Sequence, residues 1–163
     1  MMKLILKTIV TIHLIFLVCI LFCSQISRLH AQSLDEKVRH SLNFAEQQLV
    51  RTVTELNDTT FYGDQIYPRS TMEDGRWRPK SAGHWASGFL PGCFWYLYEH
   101  SNKPNFLQWA QSWTANLEDQ KNRTRDHEAG FIIFRSFGLG YRLTGRQDYK
   151  EVLFTAANSL ATR

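Results

Sequence analysis

The stretch Asp126-His127-Glu128-Ala129-Gly130-Phe131-Ile132-Ile133-Phe134 joins a polar loop to a segment that is apolar on nearly every side. A helix of that composition is typical of a buried position, and the sequence predicts one from about Gly130 to Leu143, with Gly145 as its stop. Charged groups at the mouth of a buried helix are costly unless they are paired or used. This junction is therefore also the first place to look for chemistry.

Four further helices are predicted from apolar residues that recur every three or four positions. They cover 33–56, with Ser33 as N-cap, and approximately 87–100, 105–120 and 147–163. The segments 33–56, 105–120 and 147–163 are amphipathic, whereas 87–100 is apolar nearly all round, like 130–143. Residues 58–80 contain Gly and Pro without strand alternation, and they are predicted to form a long loop.

This alternation of amphipathic and buried helices indicates helical hairpins arranged in two layers. The predicted fold class is all-α, with an α/α toroid favoured over a plain helical bundle. A toroid has an inner and an outer ring of helices, and its cavity lies at the ends of the inner helices.

Residues 1–31 have the layout of a secretory signal peptide. Two lysines precede an apolar run over about 8–22, and Leu29-His30-Ala31 is a candidate cleavage site. Residues 32–163 are then an exported domain, secreted or periplasmic, without stable membrane association after cleavage. A retained membrane anchor is the competing interpretation, although the apolar run is short for a bilayer span of about 20 residues.

The formal net charge of the chain, +4 at pH 7, is concentrated in that leader, which holds three basic residues and no acid. The remaining domain is nearly neutral and has no basic stripe, so nucleic acid is not expected as a partner. Cys93 is the one cysteine of the sequence after residue 31, which excludes an internal disulfide, and we expect a buried, inert thiol. Lipidation at Cys23 is disfavoured because the preceding Phe22 is bulky.

Glu128 is a candidate catalytic carboxylate at the floor of a cavity. Backbone N–H groups and the dipole at a helix start would hold it ionised, and His127 could donate a hydrogen bond to a substrate or a carboxylate. The competing interpretation is helix capping, with Asp126 as the cap and Glu128 as a first-turn acid. No metal site is expected, because His127 has no second ligand at helical or loop spacing.

Aromatic residues in the loop before the 87–100 helix are candidates for sugar binding. Trp77 and Trp85 lie near Gly-rich turns, where flat rings can stack on the apolar faces of sugars. The alternative is that they pack the loop onto the helices. Trp109 and Trp113 fall on the amphipathic face of 105–120 and are expected in the core.

Several motifs occur in one order and together carry a likeness to a known family. They are Tyr67-Pro68-Arg69, Trp85-Ala86-Ser87-Gly88-Phe89-Leu90-Pro91-Gly92, Asp126-His127-Glu128-Ala129-Gly130-Phe131, Ser136-Phe137-Gly138 and Gly140-Tyr141-Arg142-Leu143. With these motifs the chain resembles the unsaturated glucuronyl hydrolases, glycoside hydrolase family 88, from about Leu34 to Arg163.

The resemblance implies an (α/α)6 barrel of twelve helices, of which this chain would supply about five or six. It implies action on glycosaminoglycan-type oligosaccharides cut by polysaccharide lyases, which carry a 4,5-unsaturated uronic acid at the non-reducing end. In the family, a carboxylic acid protonates the vinyl ether double bond, water adds at C5, and the hemiketal opens to release a keto acid. No metal or organic cofactor is implied.

Residue by residue, the resemblance implies a catalytic carboxylate at Glu128 and substrate-binding groups at His127 and Trp85. Glu128 stands where the family usually has Asp, which moves the carboxylate by about 1 Å, and a shift of that size can cost about 100-fold in rate. The family's other essential Asp would fall beyond Arg163. The chain is therefore expected to be an N-terminal fragment, inactive alone, whose incomplete ring exposes apolar faces.

Two alternatives stay open on the sequence. One is a non-catalytic carbohydrate-binding module that has kept Trp85 and His127. The other is an unsaturated rhamnogalacturonyl hydrolase, which shares the barrel and the type of reaction. Substrate profiling of a completed chain would separate the two enzymes.

Overall fold

The computed structural model describes residues 2–57, 62–63 and 65–162, and within those ranges it describes side chains at 13–21 and from residue 33 onward. The chain divides into two compact units, Met1–Gln48 and Leu49–Arg163. Part of the predicted 58–80 loop lies outside the described residues.

Helix α1, Met2–Leu56, includes both the predicted leader and the predicted first helix. The helix start expected at Ser33 is wrong, because neither Gly nor Pro interrupts the segment before it and α1 continues through that position. Among the described residues, no helix combines the length and the apolar character that crossing a membrane requires. The side chains at 22–32, with Cys23 and the candidate cleavage site, lie outside the described part, and the signal peptide stays a prediction.

A β-hairpin occupies part of the predicted loop. Strand β1, Tyr67–Thr71, pairs antiparallel with β2, Trp77–Lys80, in a register that sets Tyr67 opposite Lys80 and Thr71 opposite Trp77. Gly75 turns the chain with a φ of 86°, a conformation that favours glycine. The prediction of a loop without strands is wrong here, because both strands are short, contain proline and lack clear polar–apolar alternation.

The remaining described elements are helical and follow the predicted segments. The α-helices are α2 (Phe89–Ser101), α3 (Pro104–Ala115), α4 (Ala129–Ile133), α5 (Leu139–Thr144) and α6 (Gln147–Ala161), with 3₁₀ turns at Trp85–Gly88 and Glu118–Asn122 and a π-helical segment at Phe134–Gly138. The π-helical segment joins α4 to α5 within the predicted 130–143 helix. Gly145 has a φ of 68° and ends α5, as predicted.

Helices α2 and α3 pack against each other and carry much of the core. Phe94 and Trp95 of α2 are fully buried, and the Trp95 indole donates a hydrogen bond to the Thr114 hydroxyl at 3.0 Å. The Tyr67 hydroxyl of β1 donates to the Trp113 carbonyl at 3.1 Å, which fixes the hairpin to α3. Trp113 is buried, as predicted, and these aromatic groups hold the hairpin and α2 on one scaffold.

One face of α2 and one face of α4 are uncovered, against the prediction that both helices are buried on all sides. Phe89, Cys93 and Tyr96 on α2 are exposed, and so are Phe131 on α4 and the following Phe134. The prediction of a buried thiol at Cys93 is therefore wrong. The exposed α2 positions form one stripe of the helix, and such a stripe is what part of a helical ring leaves without neighbours.

Candidate active site

Arg123 is the buried centre of the junction that precedes α4. Its side chain is 6% exposed. Its Nε donates to Oδ1 of Asp126 at 2.7 Å, and its Nη2 donates to Oδ2 at 2.6 Å. Arg125 adds a longer contact, with Nε 3.2 Å from Oδ2 of the same carboxylate. These bonds, above all those from Arg123, hold the pKa of Asp126 below its usual value, so Asp126 is a fixed anion.

The same guanidinium ties the junction to the loop before the first 3₁₀ turn. Arg123 Nη1 donates to the Gly83 carbonyl at 2.6 Å, across 40 positions of sequence, and Arg125 Nη2 donates to it at 3.2 Å. On the other side, Arg123 Nη2 lies 3.4 Å from Oε2 of Glu128. One buried cation therefore holds two loop segments and two carboxylates in a fixed relation.

Asp126 stabilises the turn that leads into α4, whose N-cap position is Glu128 rather than Asp126 as the capping interpretation predicts. Its Oδ1 accepts a hydrogen bond from the N–H of Glu128 at 3.1 Å. The Glu128 carboxylate makes no capping hydrogen bond to the helix, and 34% of its side chain is exposed. The prediction that backbone N–H groups hold Glu128 is therefore wrong, because the Glu128 carboxylate lies beside Arg123 and is open to solvent.

Trp85, Phe89 and Phe131 form an aromatic cluster next to this junction. The Trp85 ring meets the Phe89 and Phe131 rings edge-on at centroid distances of 5.9 and 6.5 Å, and Phe89 stacks on Phe131 at 6.4 Å. Their exposed fractions are 40%, 38% and 44%. The mutual contacts fix the rings while a broad apolar surface stays open, which suits stacking on a sugar ring.

Gly88 allows the aromatic cluster to form. A Cβ atom at this position would lie 2.4 Å from the Ile132 carbonyl oxygen and 2.5 Å from that of Phe131. Only glycine permits so close an approach between the 3₁₀ turn and the backbone of α4. Sequence reasoning missed this role, although a glycine at the transition from turn to helix was the available signal.

His84 reports the electrostatic environment of the 3₁₀ turn. Its Nδ1 accepts a hydrogen bond from the Ala86 N–H at 3.2 Å. Burial, followed by the nearby cations Arg69 and Lys80, lowers the pKa of His84, while Glu128 acts in the opposite sense. Cations therefore dominate the field at this turn. Across the described residues, no group of three or more His, Cys, Asp or Glu side chains could hold a metal ion.

The predicted site residues lie in two neighbouring segments. Glu128 and the exposed His127 belong to the junction, and Trp85 belongs to the turn that follows the Arg123-bound loop. Trp85 lines an open groove of about 460 Å³, which neither Glu128 nor His127 lines. The carboxylate predicted at a cavity floor therefore does not line the groove beside Trp85, and a cavity at Glu128 stays a prediction. A larger depression is lined by residues 33–43 of α1 alone, and one helix cannot enclose a ligand.

Comparisons with known proteins point to one kind of enzyme. No protein-family model matches the chain. Over 80 residues the chain is 40% identical to an unsaturated glucuronyl hydrolase of Formosa agariphila, and the match covers 48% of this chain and 20% of that protein. The crystal structure of an unsaturated glucuronyl hydrolase specific for heparin superposes with a TM-score of 0.59 at 30% identity, over 74% of this chain and 33% of that one.

A second solved relative is the unsaturated glucuronyl hydrolase of Streptococcus agalactiae. It superposes with a TM-score of 0.56 at 22% identity, over 73% of this chain and 31% of that one. A variant of that enzyme is solved in complex with dGlcA-GalNAc6S, and it superposes with a TM-score of 0.51.

The fold class is an all-α, partial (α/α)6 toroid, to which the β-hairpin is an addition, so the predicted fold class is confirmed. The relatives are glycoside hydrolases. Within that class the chain is similar to unsaturated glucuronyl hydrolases, as the sequence motifs predicted. It spans between a fifth and a third of the length of these relatives.

Proposed function

We propose that the chain supplies part of a hydrolase that removes a 4,5-unsaturated glucuronyl residue from lyase-generated, glycosaminoglycan-type oligosaccharides. The observation that carries this proposal is that Arg123 contacts the solvent-open carboxylate of Glu128 and also holds the loop that leads to the exposed aromatic cluster. Likeness to enzymes named for this activity supports the proposal, as does the disaccharide bound to the Streptococcus agalactiae relative.

Glu128 is the proposed catalytic carboxylate, and it would accept hydrogen bonds from ring hydroxyls of the unsaturated sugar. Arg123 lies 3.4 Å from its Oε2, and Asp126 holds its backbone N–H. A carboxylate oriented by a fixed cation and a fixed backbone turn needs little reorganisation during the reaction. Asp126 stays an anion between Arg123 and Arg125 and is not the proton donor.

His127 and Trp85 are the proposed substrate-binding residues. His127 is exposed and directly follows the fixed Asp126, so its ring can reach a sugar hydroxyl. The Trp85 ring, held edge-on by Phe89 and Phe131, would stack on the apolar face of the sugar.

The proposed reaction is hydration of the vinyl ether double bond rather than displacement at the anomeric carbon. A carboxylic acid gives its proton to C4, a water oxygen bonds to C5, and the proton lost by that water passes to a base. The hemiketal then opens, and its collapse releases the shortened oligosaccharide and an open-chain keto acid, without a metal or organic cofactor. Since the proton donor is proposed to lie outside the 163 residues, the chain alone would bind sugar without turnover.

The proposal includes export of the protein. The basic start and the apolar run within residues 1–31 support cleavage of a signal peptide and a secreted or periplasmic location. Neither nucleic acid nor stable membrane association is part of the proposal.

The test uses an unsaturated glucuronyl disaccharide and follows loss of the ultraviolet absorbance of its double bond. A chimera, in which residues 49–163 replace the structurally matching part of the heparin-specific relative, should remove that absorbance. Glu128→Gln should lower the rate of the chimera about 100-fold or more. Glu99→Gln is the matched control, because Glu99 is an exposed carboxylate paired with Arg142 rather than with Arg123.

Each outcome separates the alternatives. The 163-residue chain alone should show binding, by chemical-shift changes in its NMR spectrum, without turnover. A folded chimera that binds the disaccharide but leaves the double bond intact would favour a non-catalytic carbohydrate-binding module. Turnover of an unsaturated rhamnogalacturonyl disaccharide alone would favour the sibling enzyme, and full activity of the Glu128→Gln chimera would remove Glu128 from the reaction.

A further inference from the structure

Strand β1 and the 3₁₀ turn before α2 form a groove that neither Glu128 nor His127 lines. Its volume is about 460 Å³, which lies in the range of small-molecule sites. The lining residues are Pro68, Arg69, Ser70, Trp85, Ala86 and Phe89. The bond from Tyr67 to the Trp113 carbonyl anchors the hairpin side, so the groove is built on fixed elements.

One wall of the groove is aromatic and held in place. Trp85 and Phe89 are 40% and 38% exposed, and their rings meet edge-on at 5.9 Å. Phe131 contacts both rings from the junction side, which restricts their rotation. A rigid aromatic wall that faces solvent binds the apolar face of a sugar ring at small entropic cost.

The other wall carries a positive charge. Arg69 on β1 is exposed, and no carboxylate of the described residues lies within ion-pairing distance of its guanidinium. Arg76, in the turn of the same hairpin, is instead neutralised by Asp74. Arg69 and Lys80 both act on His84, so the positive field extends to the turn that carries Trp85.

We infer that this groove binds an anionic sugar residue of the substrate, whose ring stacks on Trp85 and whose carboxylate or sulfate faces Arg69. The inference rests on the proposed function for its substrate class, while the groove itself follows from geometry and charge. A neutral sugar would use the aromatic wall and leave Arg69 without an anion, whereas an anionic sugar engages both walls. The groove therefore selects charged oligosaccharides over neutral ones.

The test titrates the 163-residue chain with three saturated disaccharides, of which one is sulfated, one carries a uronate without sulfate, and one is neutral. None contains the double bond, so none is a substrate of the proposed reaction. NMR chemical-shift changes of the groove residues should show that an anionic disaccharide binds about fivefold or more tightly than the neutral one. Arg69→Gln should abolish this preference.

Arg78→Gln is the matched control, because Arg78 is an exposed arginine on the partner strand β2 and does not line the groove. It should keep the preference for the anionic ligand. If Arg69→Gln and Arg78→Gln lose the preference for the anionic disaccharide equally, the hairpin attracts anions by its general charge, and the inference is overturned. The inference would also be overturned if the chain bound the neutral and the anionic disaccharides with equal affinity. It would be overturned as well if no anionic disaccharide changed the NMR chemical shifts of the groove residues.

The two anionic ligands identify the group that Arg69 recognises. Stronger binding of the sulfated disaccharide assigns sulfate, stronger binding of the uronate assigns carboxylate, and either result supports the inference. Failure of the proposed function is seen separately in the chimera. Arg69-dependent binding without turnover by the chimera would support the anion-binding groove and contradict the proposed enzymatic function. Turnover without Arg69-dependent binding would support the proposed function and contradict the inference about the groove.

Discussion

The Arg123 guanidinium donates to both carboxylate oxygens of Asp126, at 2.7 Å from Nε and 2.6 Å from Nη2. The two side chains differ in burial, since 6% of Arg123 and 30% of Asp126 is exposed. A buried cation depends strongly on its anion, because it has little access to water. The pair fixes the site geometry, because Asp126 also holds the Glu128 N–H and Arg123 also holds the Gly83 carbonyl.

Replacement of Arg123 by methionine should lower the free energy of unfolding by about 2 kcal/mol, because Asp126 and the Gly83 carbonyl lose their shortest hydrogen bonds and keep only the longer contacts from the exposed Arg125. Arg142→Met is the matched control. Arg142 also makes a bidentate pair, with both Nη atoms 2.7 Å from the Glu99 oxygens, but 49% and 42% of the two side chains is exposed. Loss of this exposed ion pair in Arg142→Met should leave the free energy of unfolding nearly unchanged. Urea denaturation followed by circular dichroism measures both variants, and equal losses would contradict the central role of Arg123.

Gly88→Ala should lower the free energy of unfolding by about 1–3 kcal/mol, because the new methyl group would meet two backbone oxygens of α4. Gly130→Ala provides the comparison, since nothing lies within 4 Å of a Cβ at that position. Alanine is favoured over glycine within a helix by about 0.5–1 kcal/mol, so Gly130→Ala should be neutral or stabilising. Thermal and urea unfolding of the two variants check the prediction. If Gly88→Ala is as stable as the wild type, the turn and α4 do not approach as closely as described.

Acid should remove the stability that Asp126 contributes. Hydrogen bonds from Arg123 hold the folded-state pKa of Asp126 below its ordinary value of 3.8. The contribution is therefore present in full above the unfolded-state pKa and is lost as the pH falls through the folded-state pKa. The difference in unfolding free energy between wild type and Asp126→Asn should be constant near neutral pH and shrink below about pH 4. A difference that persists unchanged in acid would show that the Asp126 charge is not coupled to folding.

His84 should titrate below its ordinary value of 6.5, as burial and the cations around it require. The groups that act on it are Arg69, Lys80 and Arg123, which lower its pKa, and Glu128, which raises it. Arg69→Gln should therefore move the pKa of His84 upward, and Arg78→Gln should leave it in place. NMR titration of the imidazole resonances measures both variants. An unchanged His84 pKa in Arg69→Gln would place Arg69 too far from the turn to line the groove.

The helices are predictable because their apolar residues recur with the helical period and because Gly145 provides a stop. The start of the first helix is not predictable from Ser33, since a capping residue marks a helix boundary only where the preceding segment is not itself helical. The hairpin escapes local patterns because Pro68 and Pro79 weaken its strand signal. Part of its anchoring comes from Tyr67, whose hydroxyl binds a carbonyl 46 positions away.

The site is predictable in its residue types and not in its connections. Glu128, His127 and Trp85 stand out in the sequence as polar or aromatic groups at helix starts. The i, i+3 spacing of Arg123 and Asp126 hints at a local pair, but no local pattern indicates a bond to Gly83 across 40 positions. Hydrophobic composition also cannot say which neighbours cover a helix, so the open faces of α2 and α4 look buried in the sequence.

Two signals followed together in the chimera decide whether this junction serves vinyl ether hydration: loss of the double-bond absorbance and appearance of new reducing ends. If the reaction is hydration, each turnover removes one double bond and creates one reducing end, and the two signals change together from the first time points. Both changes should be lost in Glu128→Gln and retained in Glu99→Gln. Reducing ends that appear while the absorbance persists would show displacement at the anomeric carbon. That result, or undiminished rates in Glu128→Gln, would contradict the proposed reaction and the role of Glu128 in it.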